Sequence, residues 1–140
     1  MSKVISNREL INSLTNQFDT KSAEYMELLT TIEHRISITS DEVLHKYDSS
    51  TNTSQYDQQK ALESVISLEY LFFSLRTKVT FESIQIKQIV TQPSTTDTIK
   101  SLFLKRGEYL SSIISQLREI REEVNTLQRL LYLKSTRTIV

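Results

Sequence analysis

His34 and His45 are the only histidines in the chain and the first residues to weigh for acid–base or metal chemistry. On one continuous helix they would stand about 16 Å apart along the axis, too far to ligate one metal ion. Asp41 and Asp48 flank His45 at helical spacing and offer it a hydrogen bond or salt bridge, so both histidines read as solvated surface residues. Glu42 stands three residues before His45, but this Glu-x-x-His has no second copy, and a carboxylate-bridged metal pair in a bundle needs two. The adjacent carboxylates Asp41–Glu42 and Glu122–Glu123 point to different faces of a helix and cannot share a proton.

Nucleophiles fare no better. The absence of cysteine removes thiolate catalysis, thiolate metal sites and disulfides together. Serine and threonine are abundant, yet Gly107 is the single glycine, and neither a phosphate-cradling loop nor a nucleophile elbow can be built from one. The expectation is therefore no catalytic residue, no metal ligands and no cofactor site: a protein that is not an enzyme.

Seventeen basic and seventeen acidic side chains cancel, so no global field favours nucleic acid or an anionic membrane. Their placement is uneven. Residues 1–56 carry five basic and eight acidic groups, 57–93 four of each, and 94–140 eight and five. Opposite charge at the two ends favours the first and last segments lying side by side, although exposed pairs are worth only about 0–1 kcal/mol each. Lys100, Lys105, Arg106, Arg118, Arg121, Arg129, Lys134 and Arg137 are interleaved with acids and do not form one phosphate-binding stripe. The richest apolar run, Val65 to Leu75, is too short for a membrane span and contains Glu69. With no apolar signal stretch at Met1–Ser6 and Ser2 where myristoylation needs glycine, the sequence reads as soluble and intracellular, with nucleus and cytoplasm undistinguished. The Asn52-Thr53-Ser54 sequon then has no glycosylating context.

Since no reactive group organises this chain, its apolar spacing must. One glycine and one proline in 140 residues leave little material for turns, which implies few reversals and long helices. The third segment, about 97–134, shows the pattern most clearly. Phe103, Leu110, Leu117, Val124 and Leu131 recur at one heptad position and Ile99, Ile113, Ile120 and Leu127 at the other, with Arg106 and Lys134 interrupting. The second segment, about 57–92, repeats it. Val65, Phe72, Val79 and Ile86 alternate with Ala61, Leu68, Leu75 and Ile89, and Glu82 is the one exception. The stretch VISLEYLFFSL is apolar nearly all round, as a surrounded helix would be.

The first segment, about 6–47, places Ile11, Leu14, Phe18, Tyr25, Leu28, Ile32, Ile36, Val43 and Tyr47 at helical spacing. Ser6 and Glu9 suit a capping box, and Lys21, Thr39 and Ser40 dilute the seam. A phase shift after Ile36, with Thr39-x-x-Glu42 as a second cap, allows a kink near residue 38. The polar tract 48–56 forms a loop, Asp57 an N-cap, Pro93–Thr96 a turn that Thr96 or Asp97 caps, and 135–140 a tail. Thr138-Ile139-Val140 at its end has the form of a carboxylate-terminal groove ligand. Gly107 inside the third helix reads as a tolerated defect rather than a close-approach site. Together these give an all-α fold: a single domain, 1–140, with three long helices in an elongated antiparallel bundle or coiled coil, the first and third parallel.

Two groups of apolar residues exceed what one seam consumes: Leu62, Ile66, Phe73, Phe81 and Ile84, and Leu102, Leu104, Ile114, Leu130 and Leu133. Some would face the third helix; the remainder would form an exposed strip that calls for a partner. In long helices, Ser/Thr/Asn/Gln-rich polar faces, small size and lack of cysteine, the chain resembles small coiled-coil subunits of eukaryotic multiprotein assemblies, such as kinetochore, transcription-coactivator and vesicle-tethering complexes. The resemblance implies a non-enzymatic structural subunit that joins other helical subunits, as a hetero-oligomer more than a homo-oligomer. Phe73, Phe81, Ile84, Leu127, Leu130 and Leu133 are the interaction residues expected. The alternative is a self-contained adaptor that binds a peptide or helical segment.

Overall fold

The computed structural model describes the backbone of residues 6–43 and 55–138 and the side chains of 6–43 and 58–132. Three helices account for nearly all of it: α1 (Asn7–Asp41), α2 (Gln55–Val90) and α3 (Asp97–Thr138). Their 35, 36 and 42 residues make rods of roughly 50–63 Å. Among the described residues there is no strand.

Local chemistry accounts for the helix ends. The Ser6 hydroxyl accepts from the Glu9 backbone N–H at 3.2 Å, which starts α1 where the cap spacing predicts. α1 then runs unbroken through Ile38 and Thr39, so no second helix starts there. Thr39 caps nothing; it is buried, and its hydroxyl has no hydrogen-bond partner. α2 is helical from Gln55, two residues earlier than an Asp57 cap implies. At its far end the Thr95 hydroxyl donates to the Ile89 carbonyl at 2.9 Å, and the Thr96 hydroxyl receives the Ile99 N–H at 3.5 Å to open α3. Most of the expected 48–56 loop, and Ile139 and Val140 of the carboxylate-terminal signal, lie outside the described residues.

Cross-helix contacts fix the directions. Glu24 meets Lys78 and Glu42 meets Ser64, so α1 and α2 run antiparallel. Phe18 meets Phe103 and Ser22 meets Arg106, so α1 and α3 run parallel. The core follows the two seams closely. All nine apolar seam positions of α3 named above are buried, as are Ala61, Val65, Leu68, Phe72, Leu75, Val79 and Ile86 of α2, while Ile89 packs half-buried against them. α1 contributes less: Tyr25, Leu29, Ile32 and Val43 are buried, and Ile11, Leu14, Phe18, Leu28 and Ile36 lie at the margin. Its sparser seam makes it the least deeply embedded of the three.

Gly107 lies half-buried in α3, and a Cβ built there would meet only Ile86 Cγ2, at 3.9 Å, which is ordinary contact. No helix approaches closely enough to require glycine. Gly107→Ala is therefore expected to stabilise the fold by about 1 kcal/mol, the helix-propensity difference, and to raise the melting temperature by a few degrees in a thermal scan.

Candidate functional site

Two of the three charges that interrupt the apolar seams find each other; the side chain of the third, Lys134, lies outside the described residues. Glu82 of α2 and Arg106 of α3 are both buried, and the guanidinium grips the carboxylate with two bonds, Nε to Oε2 at 2.6 Å and Nη2 to Oε1 at 3.1 Å. The Tyr25 hydroxyl of α1 donates to the same Oε1 at 2.6 Å, and Arg106 Nη1 donates to the Ser22 hydroxyl. Aromatic faces enclose the guanidinium, with Phe18 and Tyr109 each 4.9 Å from it and Tyr25 at 5.8 Å. One polar layer thus ties all three helices together inside the apolar stack.

Burial pushes the Glu82 carboxyl upward, but the hydrogen bonds from Arg106 and Tyr25 outweigh it and hold the group below its ordinary value of 4.5. Burial, then the bond to Glu82, pushes the Tyr25 hydroxyl far above its ordinary 10. The signs follow by linkage. A carboxyl depressed in the folded state stabilises it above the unfolded value, and that stability is lost as pH falls through the folded one. A phenol raised in the folded state stabilises it below its unfolded value, and that stability is lost as pH rises. Denaturant midpoints should accordingly fall below about pH 4.5 and above about pH 10. Replacing Glu82 and Arg106 together by leucine should flatten the acid limb.

Glu82, Arg106, Tyr25 and Ser22 are paired with one another, while the buried Tyr109 hydroxyl beside them has no hydrogen-bond partner. The pairing suits fixing the register of three rods, because slipping one helix by a turn would leave a charge buried alone. Elsewhere Lys78 pairs with Glu24 on the surface, and the buried Glu42 accepts from the Ser64 hydroxyl. Among the described residues the two ion pairs join α2 to α1 and to α3, while α1 meets α3 through the Phe18–Phe103 contact and the Arg106–Ser22 bond. Among the described residues no group of three or more His, Cys, Asp or Glu is placed to hold a metal ion, and no helix is long and apolar enough to cross a membrane. His34 is exposed, and the side chain of His45 lies outside the described residues.

The surface departs further from a closed bundle. Phe73, Phe81 and Ile84 are 52%, 63% and 50% exposed, and Leu62, Ile66 and Tyr70 join them. Steps of four, four and three residues set Leu62, Ile66, Tyr70 and Phe73 on one line of α2, which continues through Thr77 to Ile84 with Phe81 beside it. The line lies opposite the core row of Ala61, Val65, Leu68, Phe72, Leu75 and Val79 and runs about 33 Å. α2 is thus not surrounded in the single chain: one face fills the core and the other, nearly as apolar, faces outward.

The expected residues of α3 sit elsewhere. Leu127 is 4% exposed and belongs to the core, Leu130 is half-buried against that core, and the side chain of Leu133 lies outside the described residues. Leu102 and Ile114 are likewise half-buried, while Leu104 is exposed. Among the described side chains, the expected interaction residues that are exposed are Phe73, Phe81 and Ile84, all on the α2 line. Tyr70 of that line had no seam spacing to mark it, and Ser22 of the buried layer, though in step with Phe18, Tyr25 and Leu29, is a residue type that marks no core position. Glu82 and Arg106 did carry a signal: each was an isolated charge in an apolar row, and the two were opposite in sign. No family model, curated protein or solved structure matches this chain.

Proposed function

We propose that this protein is a non-enzymatic structural subunit that joins a larger assembly through helix–helix packing along the outer face of α2. The observation that carries the reading is the line Leu62–Ile66–Tyr70–Phe73–Ile84, with Phe81 beside it: six large apolar side chains, each about half exposed or more, on one side of one helix. Soluble monomers rarely leave so continuous an apolar strip in water, and aromatic residues are the usual anchors of protein interfaces. A rod with one face spent on its own core and an equivalent face free is the form a bundle takes when another helix completes it. The buried Glu82–Arg106–Tyr25 layer supports the same reading, because it holds the presenting helix in fixed register.

Phe73→Asp separates an interface from a core position. An exposed Phe73 predicts that the variant keeps its helical circular dichroism and melts within a few degrees of the parent, while association with its native partner is lost. Collapse of the helical signal would place Phe73 in the core and remove the proposed surface.

A further inference from the structure

We propose that the outer face of α2 is covered by the same face of a second copy, antiparallel, about a two-fold axis beside Phe73. This inference rests on the reading of the strip as a helix-packing surface and names its occupant. The order of groups along α2 selects a second copy, because it is complementary to its own reversal. Leu62 stands eleven residues before Phe73 and Ile84 eleven after. Ile66, seven before, is balanced by Thr80, seven after, with Phe81 next to it, and Tyr70, three before, falls level with Arg76 and beside Thr77. Reversing one helix on the other therefore sets Leu62 against Ile84, Ile66 against Thr80 and Phe81, and Phe73 against itself.

Charge fixes the direction. Glu69 and Arg76 are seven residues apart, so both lie along the same edge of the apolar line. In a two-fold antiparallel pair, like edges face each other. Glu69 of each copy then meets Arg76 of the other, and the pair forms twice. A parallel pair would set this edge against the opposite one, which carries Lys60, Ser67, Ser74 and Phe81, with only serines level with Glu69 and Arg76, and leave both charges unmatched. Among the described residues neither Glu69 nor Arg76 has an ion-pair partner within its own chain. Arg118 and Arg121 of α3 line the same groove as Arg76, so the edge that receives Glu69 is the more positive for it. Lys78, already paired with Glu24, takes no part.

The area is sufficient. Half-exposed aromatic and aliphatic side chains of this size each have on the order of 100 Å² to bury, so six per copy give roughly 1,200 Å² over both, the lower bound of specific interfaces.

The chain contains no cysteine, so single cysteines report geometry without interference. Under mild oxidation Phe73→Cys should form a disulfide-linked dimer. Leu62→Cys should not link to itself but should link to Ile84→Cys when the two proteins are mixed. Sedimentation of the full chain should give a dimer that E69R or R76E each weaken roughly tenfold or more. Mixing E69R with R76E should restore it, since both cross-pairs of the mixed dimer then set a cation against an anion again. Self-linking of Leu62→Cys shows a parallel pair and overturns the proposal, as does a dimer indifferent to both charge reversals. A wild-type chain that sediments as a monomer at every concentration also overturns it. That last result leaves the helix-packing reading standing if Phe73→Asp still loses a different native partner, and removes both if it does not.

Discussion

Arg106→Met is expected to be the most damaging single substitution in the chain, costing about 3–5 kcal/mol, because it leaves the Glu82 carboxylate buried without its counter-charge. Tyr25 alone would remain to donate to Glu82, and one phenol cannot replace a two-bond guanidinium grip at 2.6 and 3.1 Å. Glu82→Leu strands the guanidinium in turn and should cost a similar amount, although stacking against Phe18 and Tyr109 still shelters part of it. The informative protein is the double variant, Glu82→Leu with Arg106→Leu. Each site stands between apolar residues one heptad away in its own row, Leu75 and Ile89 for Glu82 and Ile99 and Ile113 for Arg106, so two leucines extend the apolar stack and should recover most of the loss. Urea midpoints of the four proteins close a cycle. A double variant as unstable as either single one would show that the layer contributes stability by itself rather than specifying alignment.

Leu75→Ala should cost about 2–5 kcal/mol. Leu75 is completely buried on α2, two residues from the half-exposed Phe73. The loss combines the transfer free energy of the deleted methyl and methylene groups with the cavity left between rods that cannot close up. For a domain of this size that means a fall in melting temperature of roughly 10 °C or more. Phe73→Ala removes a larger side chain and, compared at a protein concentration where both proteins are monomeric, should cost less than about 1 kcal/mol, since about half of what it deletes faces water in the single chain. The contrast between neighbours tests which side of α2 is inside. Equal losses would mean that the helix is rotated about its axis relative to the fold described here.

The all-α fold was legible because two segments repeat their apolar residues so regularly. Every apolar seam position of α3 is buried, and the α2 seam fails only at Ile89, beside the helix end. The two irregular seam positions were legible as exceptions but not as a pair, since spacing within one helix says nothing of which residue faces it from another. α1 was harder. Its buried Leu29 and Thr39 continue the four–three spacing of Tyr25, Ile32, Ile36 and Val43, but a threonine in that row does not announce a core position, and a capping signal at Thr39–Glu42 competed with helix continuation and lost, because packing against α2 holds the segment helical. The outer strip shows the limit of composition: Leu62, Ile66, Phe73, Phe81 and Ile84 were visible as surplus, but whether surplus faces a third helix or water depends on how the rods rotate. For α2 the answer is water; for Leu127, whose heptad spacing already placed it inside, the answer is core.

The most direct test of the central claim, that the outer face of α2 is covered by protein when this molecule works, is site-specific photo-crosslinking in its native setting. A benzophenone amino acid placed at Phe73, and separately at Ile66 and Ile84, should give discrete protein adducts. The same probe at Glu33, exposed on α1, should give none. Adducts from Glu33 as strong as those from the strip, or none from any of the three strip positions, would contradict the account.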